Sequence, residues 1–303
     1  MILSKPEHIK IYGHRGARGD LPENTLKSFK YLFENGISAY ETDIVISKDL
    51  VPIINHDFRL NPALTKDSEG NWITNDDIKI YDLTYEQLSK FTIGSINKNS
   101  KYGRKFDNQK NLPKQEIPKL SDLLELTSRN ILDGLLINLE IKSTPIENNL
   151  TPHPDIMAKL IIDEVNKFNL RDNVIYSSFD WRILREIKTL DPKIPRAYLT
   201  SKKRGKIYDK SPWLDLMPVY DKDNLGLPKL IKELGGNAWH PKHKDIKRED
   251  VRISHDEGLP VNVWTVNEEY DMMRMIDYGV DGIMTDYPVK LKELCERKNI
   301  KWF

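Results

Sequence analysis

Eight short apolar runs, each followed by a segment of helical period, constrain this chain more than any other feature. The runs are rich in Ile, Val and Tyr and fall at 9–14, 38–44, 136–142, 173–179, 195–200, 237–241, 260–266 and 281–286. Apolar runs too short for helices, alternating with stretches of 3.6-residue period, are the pattern of repeated βα units. The intervening stretches include ENTLKSFKYLFENG, HPDIMAKLIIDEVNKFN and DWRILREIKTLDP. Several close on Gly or Asn, as helix ends do. The alternation predicts an α/β fold, a TIM (β/α)8 barrel, whose functional side chains gather at the C-terminal ends of the strands. The chain has 303 residues, and a barrel can run to about 250 residues as one unit. The expectation is therefore a single barrel over 1–303.

Two stretches depart from even repetition. After the second run, ETDIVIS-KDL-VPIINHD reads as a β-hairpin, which would bring His56 back near the level of Glu41. Residues from about 58 to 118 then carry few core patterns and many polar residues, with one helical fragment, TYEQLSKF. So long a polar stretch in a compact domain is a lid or an inserted subdomain, and the helical fragment favours the subdomain. A second irregular stretch, roughly 201–226, is expected to loop over the same face.

The balance of 47 Lys+Arg against 46 Asp+Glu leaves a net charge of +1. That removes the main electrostatic argument for nucleic acid or an anionic membrane as partner. Cys295 is the only cysteine, so neither an intramolecular disulfide nor a cysteine-based zinc site can form. No apolar run approaches the roughly 18 residues of a spanning helix. The start, MILSKPEHIKIYGH, lacks the apolar centre of a signal peptide. The expectation is a cytoplasmic protein with no stable membrane anchor.

Residues able to do chemistry cluster at the ends of the runs. GHRGARGD (13–20) imitates a dinucleotide fingerprint, but Arg15 stands where the second glycine must let a pyrophosphate approach. His14 and Arg15 could instead act directly, one moving a proton near neutrality and the other forking onto phosphate; alternatively they cap a helix and pair with an acid. Glu41 and Asp43 share one strand face. They either hold a hard cation such as Mg²⁺ or Ca²⁺ or sit on a solvated face. His56-Asp57 ends the hairpin and is in isolation an ordinary turn pair. Glu140 and Lys142, in an otherwise apolar strand, form either a buried ion pair or a third metal carboxylate with a second phosphate cation. Phe179, Trp264 and Asp286 lie at later strand ends and could line a pocket; His240 and His243 could face it or cap a helix. Ser177 and Ser178 lack the G-x-S-x-G setting of a serine nucleophile.

Taken together and in order, these segments resemble the glycerophosphodiester phosphodiesterase family. The resemblance runs through HRGARGDLPENT (14–25), ETDIVISKDLVPIINHD (41–57), DLTYEQLSKFTIG (82–94), IPKLSDLLEL (117–126), LEIK (139–142), SSFDWRIL (177–184), VNVWTVN (261–267) and GVDGIMTDYP (279–288). It implies a TIM barrel with an insertion after the second strand's hairpin. The implied reaction is metal-dependent hydrolysis of small glycerophosphodiesters, such as glycerophosphocholine or glycerophosphoethanolamine, to sn-glycerol 3-phosphate and an alcohol. By the same resemblance Glu41, Asp43 and Glu140 would bind one divalent cation, Mg²⁺ or Ca²⁺. His14 and His56 would be the acid/base pair, while Arg15 and Lys142 would hold the phosphate. A lysophospholipase D-like activity and a non-catalytic phosphodiester-binding barrel are the alternatives. One departure is visible: the family's hairpin turn usually has glycine after aspartate, and this chain has Asp49-Leu50. A positive φ there would strain Leu50.

Overall fold

A βα alternation can satisfy its strand edges only by closing the sheet, and this chain does so. The computed structural model describes residues 8–112, 114–202, 210–217 and 226–303. Its strands are β1 (Lys10–His14), β2 (Ala39–Ile46), β3 (Pro52–Ile54), β4 (Thr92–Ile93), β5 (Gln115–Glu116), β6 (Leu136–Ile141), β7 (Val174–Ser178), β8 (Arg196–Thr200), β9 (Ala238–Pro241), β10 (Asn262–Val263) and β11 (Gly282–Thr285). Among the described residues, eight of these lie side by side and parallel in the order β10-β11-β1-β2-β6-β7-β8-β9. Parallel bridges Trp239–Val261 and Lys242–Trp264 join the two ends. The result is the expected barrel, and each of the eight apolar runs supplies one of its strands.

The helices follow their strands around the outside. They are α1 (Leu26–Glu34), α2 (Tyr85–Leu88), α3 (Leu120–Ser128), α4 (Pro154–Lys167), α5 (Trp181–Leu190), α6 (Leu227–Glu233), α7 (Arg248–Asp256), α8 (Glu269–Tyr278) and α9 (Pro288–Arg297). Local chemistry sets their starts: Thr25 accepts from the Ser28 amide ahead of α1, and Asp180 accepts from the Arg182 amide ahead of α5. A cap of this kind contributes about 1 kcal/mol. Outward strand residues such as Tyr40, Ile44, Ile137 and Leu139 bury against helix residues such as Phe29, Leu32 and Leu184. Each large apolar side chain so buried contributes about 1.5–3 kcal/mol.

Inside the barrel the two-residue period changes chemistry along each strand. Ala39, Leu136 and Ile175 meet Tyr12, Met284, Ala197 and Ala238 in a packed apolar floor. Two or four residues further on, the same faces carry Glu41 and Asp43, Asn138 and Glu140, and Ser177. The interior is therefore closed below and polar above, as a barrel with its site at the strand C-termini must be.

β3 folds back on β2 with Ile44 opposite Ile54, and the Asn55 amide donates to the Asp43 carbonyl at 3.1 Å. Leu50 in the connecting turn does adopt the left-handed conformation, φ 62. Ser47 holds it: the Leu50 amide donates to the Ser47 carbonyl and the Val51 amide to Ser47 Oγ, both at 3.0 Å. The segment that follows builds its own cluster, in which Leu60, Ile73, Ile80, Leu88 and Ile117 pack on Val45 and Ile53 of the hairpin. Much of the irregular stretch at 201–226 lies outside the described residues.

Candidate active site

The loop from β1 to α1 turns on two successive left-handed residues, Arg15 (φ 54) and Gly16 (φ 82). At Gly16 a Cβ would stand 2.4 Å from Ser28 Oγ, so only glycine lets the loop close onto α1. Arg15 has no such licence and costs on the order of 1–3 kcal/mol in this conformation. Its amide, directed at β2, donates to the Glu41 carbonyl at 2.9 Å and to Glu41 Oε2 at 3.1 Å. Its side chain reaches Glu23 Oε1 at 2.9 Å and stands 3.1 Å from Asp43 Oδ2.

Glu41, Asp43 and Glu140 come together as the shared strand faces require: one oxygen from each lies within 4.8 Å of the others. Glu41 Oε1 and both oxygens of Asp43 are buried and accept no well-aligned hydrogen bond. Lys142 Nζ lies 2.6 Å from Glu140 Oε1 and 3.5 Å from Asp43 Oδ1. Burial, followed by the charges of Asp43 and Glu140, pushes Glu41 well above the usual carboxylate range. Burial would raise Asp43 too, but Arg15, His56 and Lys142 hold it well below. Three crowded carboxylates with orphaned oxygens are the donor set of a hard divalent cation, whose charge would relieve their repulsion. The residues fit such an ion.

Two imidazoles stand beside this triad. His14 Nδ1–H donates to Asp286 Oδ1 at 2.7 Å, which leaves Nε2 free, 3.8 Å from Glu41 Oε2. His56 Nδ1–H donates to Asp57 Oδ1 at 2.7 Å, again leaving Nε2. Burial, then the charge of Arg18, pushes His14 down to about 4 against the pull of Asp286. Burial and the cations Arg15 and Lys142 push His56 down as well; its side chain is still 20% exposed, so the ring is shielded rather than sealed. Both rings are neutral at neutral pH, with their lone pairs at Nε2.

Several residues that the sequence did not single out complete the site. Arg18 forks onto Asp286, Nε to Oδ1 at 2.7 Å and Nη2 to Oδ2 at 3.0 Å. With His14 Nδ1 and the two Arg18 nitrogens, Asn267 Nδ2 is the fourth donor to that carboxylate, at 2.7 Å. Glu23 accepts from Arg15 and from the hydroxyl of Tyr102, which reaches over from the insertion. Asp286, Arg18 and Glu23 lie within the motifs GVDGIMTDYP and HRGARGDLPENT, but within them only a strand-end position marks Asp286, and nothing beyond loop charge marks Arg18 or Glu23.

A cavity of about 360 Å³ opens above these groups, with His14, Arg15, Glu41, Lys142, Phe179 and Trp264 in its wall. Phe179 and Trp264 meet edge to face with centroids 5.4 Å apart. His240 lies deeper, on the Ala238 face, where Asn262 Nδ2 donates to its Nε2 at 3.0 Å; burial pushes it down to about 3. His243 turns to the Trp264 carbonyl and to Asp271. Ser178 Oγ donates to the Ile141 carbonyl, and among the described residues no histidine accepts a proton from either Ser177 or Ser178. Among the described residues no helix is long and apolar enough to cross a membrane.

The pattern that defines the Glycerophosphoryl diester phosphodiesterase family matches residues 14–290. A glycerophosphodiester phosphodiesterase of Caldanaerobacter subterraneus subsp. tengcongensis is 29% identical over 95% of this chain and 98% of its own length. The crystal structure of a candidate glycerophosphoryl diester phosphodiesterase from Silicibacter pomeroyi superposes with a TM-score of 0.87 at 32% identity, covering 98% of this chain and 96% of that one. An Oleispira antarctica phosphodiesterase, solved in complex with the product sn-glycerol-3-phosphate, shares the fold at a TM-score of 0.70 and 23% identity, with 96% and 97% of the two chains covered.

Proposed function

This chain belongs to the glycerophosphoryl diester phosphodiesterase family, and from that premise we propose that it cleaves small glycerophosphodiesters, glycerophosphocholine and glycerophosphoethanolamine among them, to sn-glycerol 3-phosphate and an alcohol. The observation that carries the reading is one mouth in which orphaned carboxylate oxygens adjoin two neutral imidazoles, each steadied at Nδ1 by a carboxylate. Glu41, Asp43 and Glu140 would hold one divalent cation, Mg²⁺ or Ca²⁺. When bound, such an ion neutralises phosphate charge and lowers the pKa of an attacking oxygen.

The chain's own groups do the rest. Arg15 and Lys142 bind the non-bridging phosphate oxygens, Arg15 as a fork and Lys142 as a point charge. One imidazole takes the proton of the glycerol 2-hydroxyl at Nε2 as that oxygen attacks phosphorus in line; the other gives its proton to the departing alcohol. A phosphodiester anion beside Nε2 raises a histidine's pKa, which lets the donating ring carry its proton at neutral pH. Water then opens the cyclic phosphate with the proton roles reversed. Phe179 and Trp264 keep the far wall apolar.

The test is release of glycerol 3-phosphate from glycerophosphocholine with Mg²⁺ or Ca²⁺, and again with EDTA. Turnover should need the ion, and His14→Ala and His56→Ala should each lower kcat by about 10²–10⁴ in protein that still folds. No release with either ion would overturn the reading, and a near-normal rate in either variant would remove that histidine from the pair.

A further inference from the structure

Residues 97–112 of the insertion form a strap across the loop that carries Arg15 and Arg18. The Tyr102 hydroxyl donates to Glu23 Oε2. The Phe106 ring centroid lies 5.1 Å from the Arg18 guanidinium carbon. The Gln109 side-chain amide donates to the Arg18 carbonyl at 2.6 Å, and the Lys110 amide to the Asp20 carbonyl at 2.9 Å. The turn that aims Tyr102 is built locally. The Gly103 amide donates to Ser100 Oγ at 2.8 Å, and a Cβ on Gly103 would stand 2.1 Å from the Asn97 carbonyl oxygen, so only glycine lets the turn close. Resting on the phosphodiesterase reading above, we infer that Tyr102 is a positioning residue of the reaction: by holding Glu23 it keeps the Arg15 fork set for phosphate.

Two guanidiniums compete for one buried carboxylate. Glu23 Oε1 accepts from Arg15 Nη1 at 2.9 Å, while Oε2 stands 3.7 Å from Arg18 Nη1, beyond hydrogen-bond reach. The Tyr102 hydroxyl occupies Oε2 and so fixes the plane of the carboxylate, with Oε1 on Arg15. Without that hydroxyl Oε2 loses its donor, and a carboxylate between two cations closes on the nearer one left to it, Arg18 Nη1. Arg15 would then keep Asp43 Oδ2, 3.1 Å from its Nε, as its one side-chain partner and tilt toward the carboxylate triad. A guanidinium grips phosphate through two parallel N–H bonds, so a tilt costs contacts that a point charge would keep. The Tyr102 ring itself packs on Phe106, with centroids 5.4 Å apart. Removing the hydroxyl alone therefore leaves the strap docked.

The test measures kcat and KM for glycerophosphocholine at saturating metal, and the inhibition constant of sn-glycerol 3-phosphate, in the wild type, Tyr102→Phe, Glu23→Ala and the double variant. Arg15 grips phosphate in the ground state and the transition state alike. Tyr102→Phe should therefore raise KM and the inhibition constant together, each about three- to tenfold, with kcat within about twofold of the wild type. Glu23→Ala should raise both at least as far. On Glu23→Ala the further change Tyr102→Phe should cost less than about twofold, because the hydroxyl then has no carboxylate to hold. If Glu23→Ala does not fold, Arg15→Lys serves as the background: it has no fork to set, and Tyr102→Phe should again cost less than about twofold. An unchanged KM and inhibition constant in Tyr102→Phe overturn the assignment and leave the phosphodiesterase reading standing, even if the melting temperature falls, since the hydroxyl is then a structural tie. A loss confined to kcat overturns it too, as does a loss that persists in full on the second background. If the wild type turns over no diester, the phosphodiesterase reading falls and takes this inference with it.

Discussion

Asp286→Asn separates the orientation of His14 from the mere presence of its ring. Four donors converge on the Asp286 carboxylate. His14 Nδ1 and Arg18 Nε share Oδ1, and Arg18 Nη2 and Asn267 Nδ2 share Oδ2. An amide of the same shape has one accepting oxygen, so one pair of donors must face its NH2 group. If that pair includes His14, the ring becomes an acceptor at Nδ1, carries its proton at Nε2 and has no lone pair for the reacting hydroxyl. If the amide turns the other way, His14 keeps a neutral and weaker acceptor while Arg18 and Asn267 lose theirs. Losing a charge-assisted bond of this kind costs about 1.5–3 kcal/mol, and each 1.4 kcal/mol is about a factor of ten in rate. The lost bond by itself would account for about 10- to 150-fold; with the ring in the wrong tautomer the expected fall in kcat is about 10²–10⁴, the scale of losing a correctly held general base. KM for glycerophosphocholine should move only a few-fold. The melting temperature should drop by several degrees, because Arg18 is left short of its counter-charge at a side-chain exposure of 13%. Steady-state release of glycerol 3-phosphate at saturating metal, with a thermal melt on the same sample, reads all three. A folded variant whose kcat stays within about threefold of the wild type would refute the reasoning. A loss carried wholly by KM would make Asp286 and Arg18 a substrate-binding unit.

Two further tests probe the cation triad and a structural ion pair. Glu41→Gln should weaken Mg²⁺ and Ca²⁺ binding at least about tenfold by titration calorimetry, while the metal-free protein melts no lower than the wild type, since one member of a crowded carboxylate set has become neutral. An unchanged affinity would count against the triad. On the far side of the barrel, His255 Nε2 lies 2.8 Å from Asp281 Oδ2, and that bond raises its pKa above the ordinary 6.5. A raised folded-state pKa contributes stability that is full below about 6.5 and lost as pH rises through the folded value. The urea midpoints of the wild type and His255→Gln should therefore differ at pH 5.5 and converge by pH 8.5. A gap that widens with pH would contradict the pairing.

What the chain declares by itself is what repeats within a segment. A strand's two-residue period places Glu41 with Asp43, and Glu140 with Lys142, before any fold is known, and the alternation of apolar runs with helical stretches determines the barrel. These are properties of backbone geometry over a few residues, so they survive in any context. The pairing of β2 with β6, Asp43 beside Glu140, then makes one triad of two separate strands. Other features depend on how distant segments meet. Asp286 reaches His14 across 272 residues because β11 pairs with β1 as the sheet closes. Arg18 reads as an ordinary loop charge until that pairing sets the Asp286 carboxylate against its guanidinium, and Glu23 meets Arg15, eight residues away, only because the left-handed loop turns back on itself. The left-handed Arg15 is affordable only because β2 and α1 hold both sides of its loop. Whether Lys142 turns toward the carboxylates is decided by packing between segments, a sum of many weak contacts that no local pattern records.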